Sequence, residues 1–151
     1  GGVGGEFPAR SLLEARRDAF FVVPRGSEWG FGPNVLRLPV RSGYFHPDLV
    51  AAADGVVGKL GYSTLAEAHQ GRTRYGYLPR PAFAETRVLG EWLDRRGSGV
   101  ALRAESPRPD AWLECLDTLL ALPEPAAPED AEPGRLQGAR ALLDLWGGGS
   151  V

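Results

Sequence analysis

Apolar runs of strand length alternate along this chain with stretches whose apolar positions recur at helical spacing. Ala19 to Val23 is a continuous apolar run that suits a strand covered on both faces, and Asn34 to Pro39 reads as a second short strand. A Gly/Pro-rich loop with Trp29 and Phe31 separates them, and a helix over about Pro8 to Arg17 precedes them, with Pro8 in its first turn. Val40 to Tyr44 connects to a short helix, His46 to Ala53. Next come a strand at Gly55–Gly58, a glycine-bounded turn, a helix over Ser63–His69 and a strand over Thr73–Leu78. Arg72 and Arg74 favour a place for that strand near a sheet edge. A helix then runs to about Arg96, with Phe83, Val88, Leu89, Trp92 and Leu93 at core-facing spacing. Gly97 to Gly99 ends it, and Val100 to Arg103 is the last strand. Pro109 to Leu122 reads as a helix with Trp112, Leu113, Leu116, Leu119 and Leu120 on one face and Cys115 buried and inert within it. A mobile loop over Pro123–Asp130, an amphipathic helix over Gly134–Trp146 and a disordered tail complete the chain.

Alternating strands and helices predict an α/β domain over residues 1–146, a Rossmann-like parallel sheet with helices on both faces and residues 147–151 as tail. Such sheets bind ligands at the carboxyl ends of their strands. The turns after Gly4, Lys59 and Leu78 all lead from strand ends into helices. The Gly1–Gly5 loop lacks the strand that normally precedes it, the chain has no methionine, and it begins Gly-Gly, so it reads as a fragment.

The turn after Lys59 carries the candidate chemistry. A helix opening at Ser63 and Thr64 aims its free N–H groups and positive dipole end at the turn, which suits a phosphate. Glu67 allows two readings: a capping-box carboxylate that closes the helix start, or an acceptor for a sugar's hydroxyls. Of the 17 basic residues only Lys59 is a lysine, and it stands inside this turn. A compact ammonium fits a tight anion site that a planar guanidinium would overfill. His46 has no partner at ligand spacing and reads as a polar group at a helix start, and His69 sits near a helix C-terminus, where its charge is favourable.

Composition removes several function classes. A net charge of −2, with no arginine cluster interleaved with aromatics, argues against nucleic-acid binding. The single cysteine excludes a disulfide framework or a cysteine metal site. No apolar run reaches spanning length and no leader is evident, so a cytoplasmic location is expected, with membrane contact only through a partner domain.

Asp54-Gly-Val-Val-Gly-Lys59-Leu-Gly61-Tyr62-Ser63-Thr64-Leu-Ala-Glu67-Ala68, followed by Arg80-Pro-Ala-Phe83-Ala-Glu85, resembles the C-terminal, donor-binding domain of GT-B glycosyltransferases. The branch it is most similar to includes the bacterial peptidoglycan N-acetylglucosaminyltransferase and related UDP-glycosyltransferases. The resemblance extends from the Gly1–Gly5 loop to the helix ending near Trp146. It implies a metal-independent site for a nucleotide sugar, UDP-linked or otherwise. In such domains the segment matching Gly61–Thr64 contacts the diphosphate, with Lys59 beside it, and the carboxylate matching Glu67 binds the ribose. The pair matching Glu85 and Thr86 faces the donor sugar, Arg80 and Phe83 of the same motif count among the substrate-binding residues, and the backbone near Val40 holds the base.

Three positions depart from the family pattern. Thr86 stands where a glutamine is frequent, which leaves the sugar open; Val3 replaces a Ser or Thr of the first loop; and Lys59 matches a Gly-Lys-x-Gly form found in sugar-kinase-linked relatives. GT-B enzymes also need an acceptor domain with a base, and no residue set here supplies one, so no catalytic residue is assigned. A regulatory nucleotide-sugar-binding module and a nucleotide-sugar hydrolase are the alternatives to a transferase half.

Overall fold

The computed structural model describes residues 10–26, 30–79, 83–102, 113, 115–126 and 134–147. Helix α1 (Arg10–Ala15) leads into strands β1 (Phe21–Gly26), β2 (Gly30–Phe31) and β3 (Val35–Pro39). Helix α2 (His46–Ala51) is followed by β4 (Gly55–Lys59), α3 (Tyr62–Gln70), β5 (Arg74–Leu78), α4 (Ala84–Arg96) and β6 (Gly99–Ala101). Helices α5 (Leu116–Ala121) and α6 (Gly134–Gly147) close the described chain. The molecule is a small, Rossmann-like α/β domain.

The strands form two ladders. In β4-β5-β6 every pairing is parallel, with Lys59 opposite Leu78 and Tyr77 opposite Ala101, so the strands end at one common edge. In the other ladder, β3 pairs parallel with β1 and antiparallel with the two-residue β2, within what the sequence suggested was a loop. Chain reversal there lets Gly30 and Phe31 satisfy the free side of β3.

Alternation along β5 explains how helices cover both faces of its sheet. Tyr75 and Tyr77 point to one side, where Val50, Leu65, Ala68, Leu89 and Leu93 of α2, α3 and α4 close over them. Gly76 lies between the tyrosines, and a Cβ built there meets Leu119 at 3.1 Å and Leu102 at 3.3 Å. One built on Gly55 meets Leu119 at 3.2 Å. Two strand glycines thus make the hollow into which α5 presses the fully buried Leu119. The sheet is thin there because the helix is close.

Several expectations are corrected. Strand β5 is the centre of its sheet, not an edge. Arg74 occupies its first position, and its guanidinium leaves along the sheet's end to the carbonyls of Leu122 (2.6 Å) and Asp54 (3.2 Å). Arg72, at a left-handed φ of 57°, binds the Pro125 carbonyl and Glu124. These arginines tie down residues 122–125, the start of the segment expected to be mobile; residues 127–130 lie outside the described part. On α4 the buried stripe is Thr86, Leu89, Gly90 and Leu93, whereas Val88 is exposed and Phe83 caps the helix from outside. Helix α5 starts after half-buried Cys115, which was expected in a helix interior, and residues 109–112 and 114 of the expected helix lie outside the described residues. Trp112 and Arg103 lie outside the described residues. Helix α6 forms as expected, and its Leu142, Leu143, Leu145 and Trp146 face solvent.

Two polar side chains hold the fold where periodicity says little. Asn34, the only asparagine, is buried and donates to the carbonyls of Leu13, Arg16 and Ala19, closing the exit of α1. Arg16 joins α1 to α5, bonding Asp18 at 2.8 Å and Asp117 at 2.6 Å. The Arg16 hydrogen bond holds the Asp18 carboxyl down at about 2.

Trp92 packs against the core as expected, with His69 edge-on to its ring at 5.2 Å and the Arg96 guanidinium 4.5 Å from its centroid. Burial first, and then the Arg96 charge, lowers the His69 pKa, contrary to the favourable charge expected at a helix end.

Replacing Asn34 with Ala takes the side-chain donor from the Ala19 carbonyl and a second donor from those of Leu13 and Arg16, which still accept from the Arg16 and Ala19 N–H groups, and is expected to cost about 1–3 kcal/mol in urea unfolding. Because folding disfavours the charged His69, its contribution is complete above the ordinary imidazole pKa of 6.5 and is lost as pH falls below it. Urea midpoints of wild type should therefore drop more between pH 7.5 and 5.5 than those of His69→Gln. Equal drops would remove His69 as the cause.

Candidate functional site

At the carboxyl ends of the strands lies a cavity of about 430 Å³. Its walls are Pro24 of β1, Leu38 and Pro39 of β3, Val40, Ser42 and Tyr44 of the following connection, His46 and Leu49 of α2, and Thr64 and Glu67 of α3. Parallel pairing of β1 with β3 brings Pro24 and Pro39 to one end of their ladder, and α2 and α3 close the cavity from the other side.

Helix α3 begins one residue earlier than expected. Gly61 is its N-cap, in extended conformation and without a side-chain cap, and Leu65 N–H is the first to bond back, to Gly61 O at 3.0 Å. The N–H groups of Tyr62, Ser63 and Thr64 therefore have no acceptor within the helix. Tyr62 and Ser63 are exposed, and Lys59 is exposed at the end of β4.

Glu67 is not a capping residue. It lies too deep in the helix to reach the first N–H groups, and its Oε2 instead meets His46 Nδ1 at 2.6 Å. A carboxylate only accepts, so Nδ1 carries the proton of this bond. This pairing corrects two expectations together, for Glu67 as a possible cap and for His46 as a residue without a partner. Their separation in sequence gives no hint of it. The legible signal was that His46 opens a helix at the same sheet edge as the turn before α3.

The turn is braced from below by Tyr75. Its ring is fully buried, and its hydroxyl donates to the Lys59 carbonyl at 2.6 Å. Burial pushes the phenol up to about 12, partly offset by a hydrogen bond from Thr64 and reinforced by the Glu67 charge.

Of the residues singled out in the sequence, Val40, Thr64 and Glu67 share the cavity wall, and Gly61, Tyr62, Ser63 and Lys59 form the adjoining helix start. Thr86 lines a separate cavity of about 250 Å³ beside Tyr77, Gly90 and Asp94, and its buried Oγ1 lacks a partner among the described residues. Phe83 is exposed and Glu85 half-buried at the start of α4. Arg80 and the Gly1–Gly5 loop lie outside the described residues. The cavity's additional residues, which sequence reasoning missed, are His46, Ser42, Tyr44, Leu49, Pro24, Leu38 and Pro39.

Among the described residues no helix is long and apolar enough to cross a membrane. No protein-family model matches the chain, and neither a curated protein nor a solved structure matches it.

Tyr75→Phe keeps the packed ring and strips the Lys59 carbonyl of its donor. Chemical unfolding should show a loss of about 1–3 kcal/mol. A change below about 0.5 kcal/mol, the range of ordinary surface substitutions, would mean that the turn is held by other bonds.

Proposed function

We propose that this chain is the donor-binding domain of a glycosyltransferase and holds a nucleotide sugar, UDP-linked by preference. The observation that carries this reading is the convergence of Val40, which follows β3, with Thr64 and Glu67 of α3 on one cavity beside the uncapped start of that helix. The cavity's volume lies in the range of small-molecule sites. Unbonded N–H groups at a helix N-terminus suit a diphosphate, and they oppose the negative charge that grows on it as the glycosyl bond breaks. Lys59, at the end of β4, is placed to add a positive charge. Glu67 offers a carboxylate oxygen to the ribose hydroxyls, and the connection at Val40 offers backbone groups to the base. The resemblance to GT-B donor domains supports the same assignment. Glu85, on the neighbouring helix start, is the residue this reading assigns to the donor sugar, with Arg80 and Phe83 as further donor contacts, whereas Thr86 is buried against the separate cavity.

Transfer requires an acceptor hydroxyl and a base from a second domain, and the role of this one is to bind and orient the donor without a metal. A cytoplasmic location belongs to the same reading. A regulatory module or a hydrolase would present the same nucleotide pocket.

Calorimetric titration with UDP tests the reading, with CDP, GDP and dTDP as controls. Glu67→Ala should weaken UDP binding by about 1–3 kcal/mol, as for lost hydrogen bonds to a charged group. Unchanged affinity in that variant would remove Glu67 from the site, and absence of binding to all four nucleotides at millimolar concentration would overturn the reading.

A further inference from the structure

The short bond between His46 and Glu67 sets a condition on what the large cavity can bind. Glu67 Oε2 accepts from His46 Nδ1 at 2.6 Å, and both side chains line the cavity, so the bond stands inside the site. A ring bonded through Nδ1 turns its Nε2 away from the carboxylate and adds no second polar atom beside it. Glu67 is the member of the pair that suits hydroxyls, and one of its two oxygens is taken.

The two O–H groups of a vicinal diol match the two oxygens of a carboxylate, each oxygen accepting one. With Oε2 occupied, the diol meets one open acceptor, and a hydroxyl left dry and unpaired at the wall costs more than a bond never made. Full engagement therefore requires the imidazole to leave. His46 is built to do so. It is 49% exposed against 25% for Glu67, and it is the first residue of α2, behind an N-cap, Phe45, that makes no side-chain cap bond. No earlier turn of the helix holds its ring.

We infer that the His46–Glu67 bond is an autoinhibitory contact: it keeps the carboxylate occupied in the empty site, and the ligand's diol must displace the imidazole to bind. The inference rests on the nucleotide reading above, with the diol being that of the ribose. Apparent affinity is then lowered by the fraction of molecules in which the bond is open. His46 acts through Glu67, as a positioning residue, and its effect has the opposite sign from that of a ligand contact. Removing it strengthens binding.

Calorimetry on the whole chain reads that sign. The ligands are UDP and 2′,3′-dideoxy-UDP, which lacks the diol, and the proteins are wild type, His46→Ala, Glu67→Ala and the double variant. His46→Ala should bind UDP about 3–30-fold more tightly than wild type, as for a hydrogen bond to a charged group that no longer has to be broken. Its affinity for the dideoxy ligand should stay within about twofold, and adding His46→Ala to Glu67→Ala should likewise change UDP binding by less than about twofold, the signature of two coupled residues. Weaker or unchanged UDP binding in His46→Ala would overturn the inference. So would an equal gain for the dideoxy ligand, or a gain that persists without Glu67, since the ring would then obstruct the site by bulk alone. Each of these outcomes leaves the nucleotide reading standing. Failure of both wild type and His46→Ala to bind any nucleotide would overturn that reading and this inference with it. If His46→Ala does not fold, His46→Leu, which also lacks the donor, reads the same sign.

Discussion

The structure turns on the bond from the Tyr75 phenol to the Lys59 carbonyl. Tyr75 is wholly buried between the central strand and the helices that cover it, yet its one polar atom must find a partner. It finds one where β4 stops and the chain begins its turn into α3. Core packing and the geometry of the turn are thereby one constraint: the ring cannot move without moving the carbonyl, and the carbonyl sets where the helix starts. The unbonded N–H groups of α3 are held in position by a residue that does not line the cavity.

Around that anchor, polar side chains do the joining that apolar contacts leave undone. Asn34 gathers three carbonyls at the exit of α1, Arg16 links α1 to α5, and Arg72 with Arg74 fastens the segment beyond α5 to the end of the central strand. Each of these bonds a backbone carbonyl or a carboxylate distant in sequence. A chain with a modest share of apolar residues can close two small ladders into one domain because its connections are pinned in this way.

The sequence was most legible where a single physical pattern decided the outcome. The alternation of strand and helix is plain in the periodicity, and so is the turn after Lys59, where glycines break the strand ahead of an amphipathic run. What was hidden depends on partners. Arg72 and Arg74 look like edge residues, because a charge in a strand normally needs water; the alternative, reaching past the strand's end to carbonyls contributed by α5, cannot be read from β5 alone. The buried stripe of α4 contains Thr86 and Gly90, which hydropathy ranks low, and at Gly90 a Cβ would meet the Tyr77 hydroxyl at 2.8 Å. His46 was misread for the same reason: its partner lies across a turn, a strand and part of a helix. Thr64 and Glu67 stood out at a glycine-bounded helix start and Val40 only through the family resemblance, and the fold brings the three to one cavity wall. The placement of Thr86 in a different cavity depends on packing that no local pattern expresses.

The hollow made by Gly55 and Gly76 bears on how the molecule reaches its folded state. Glycine is a poor strand former, so β4 and β5 gain little from local preference and rely on what covers them. One face is closed by helices adjacent in sequence, but the other waits for Leu119, which follows both strands at long range. Any ladder formed before α5 is in place has that face open to solvent, a condition that slows folding and invites association between nascent chains. Filling either glycine with a methyl group would hinder the late arrival of α5 more than it would disturb the strands already formed.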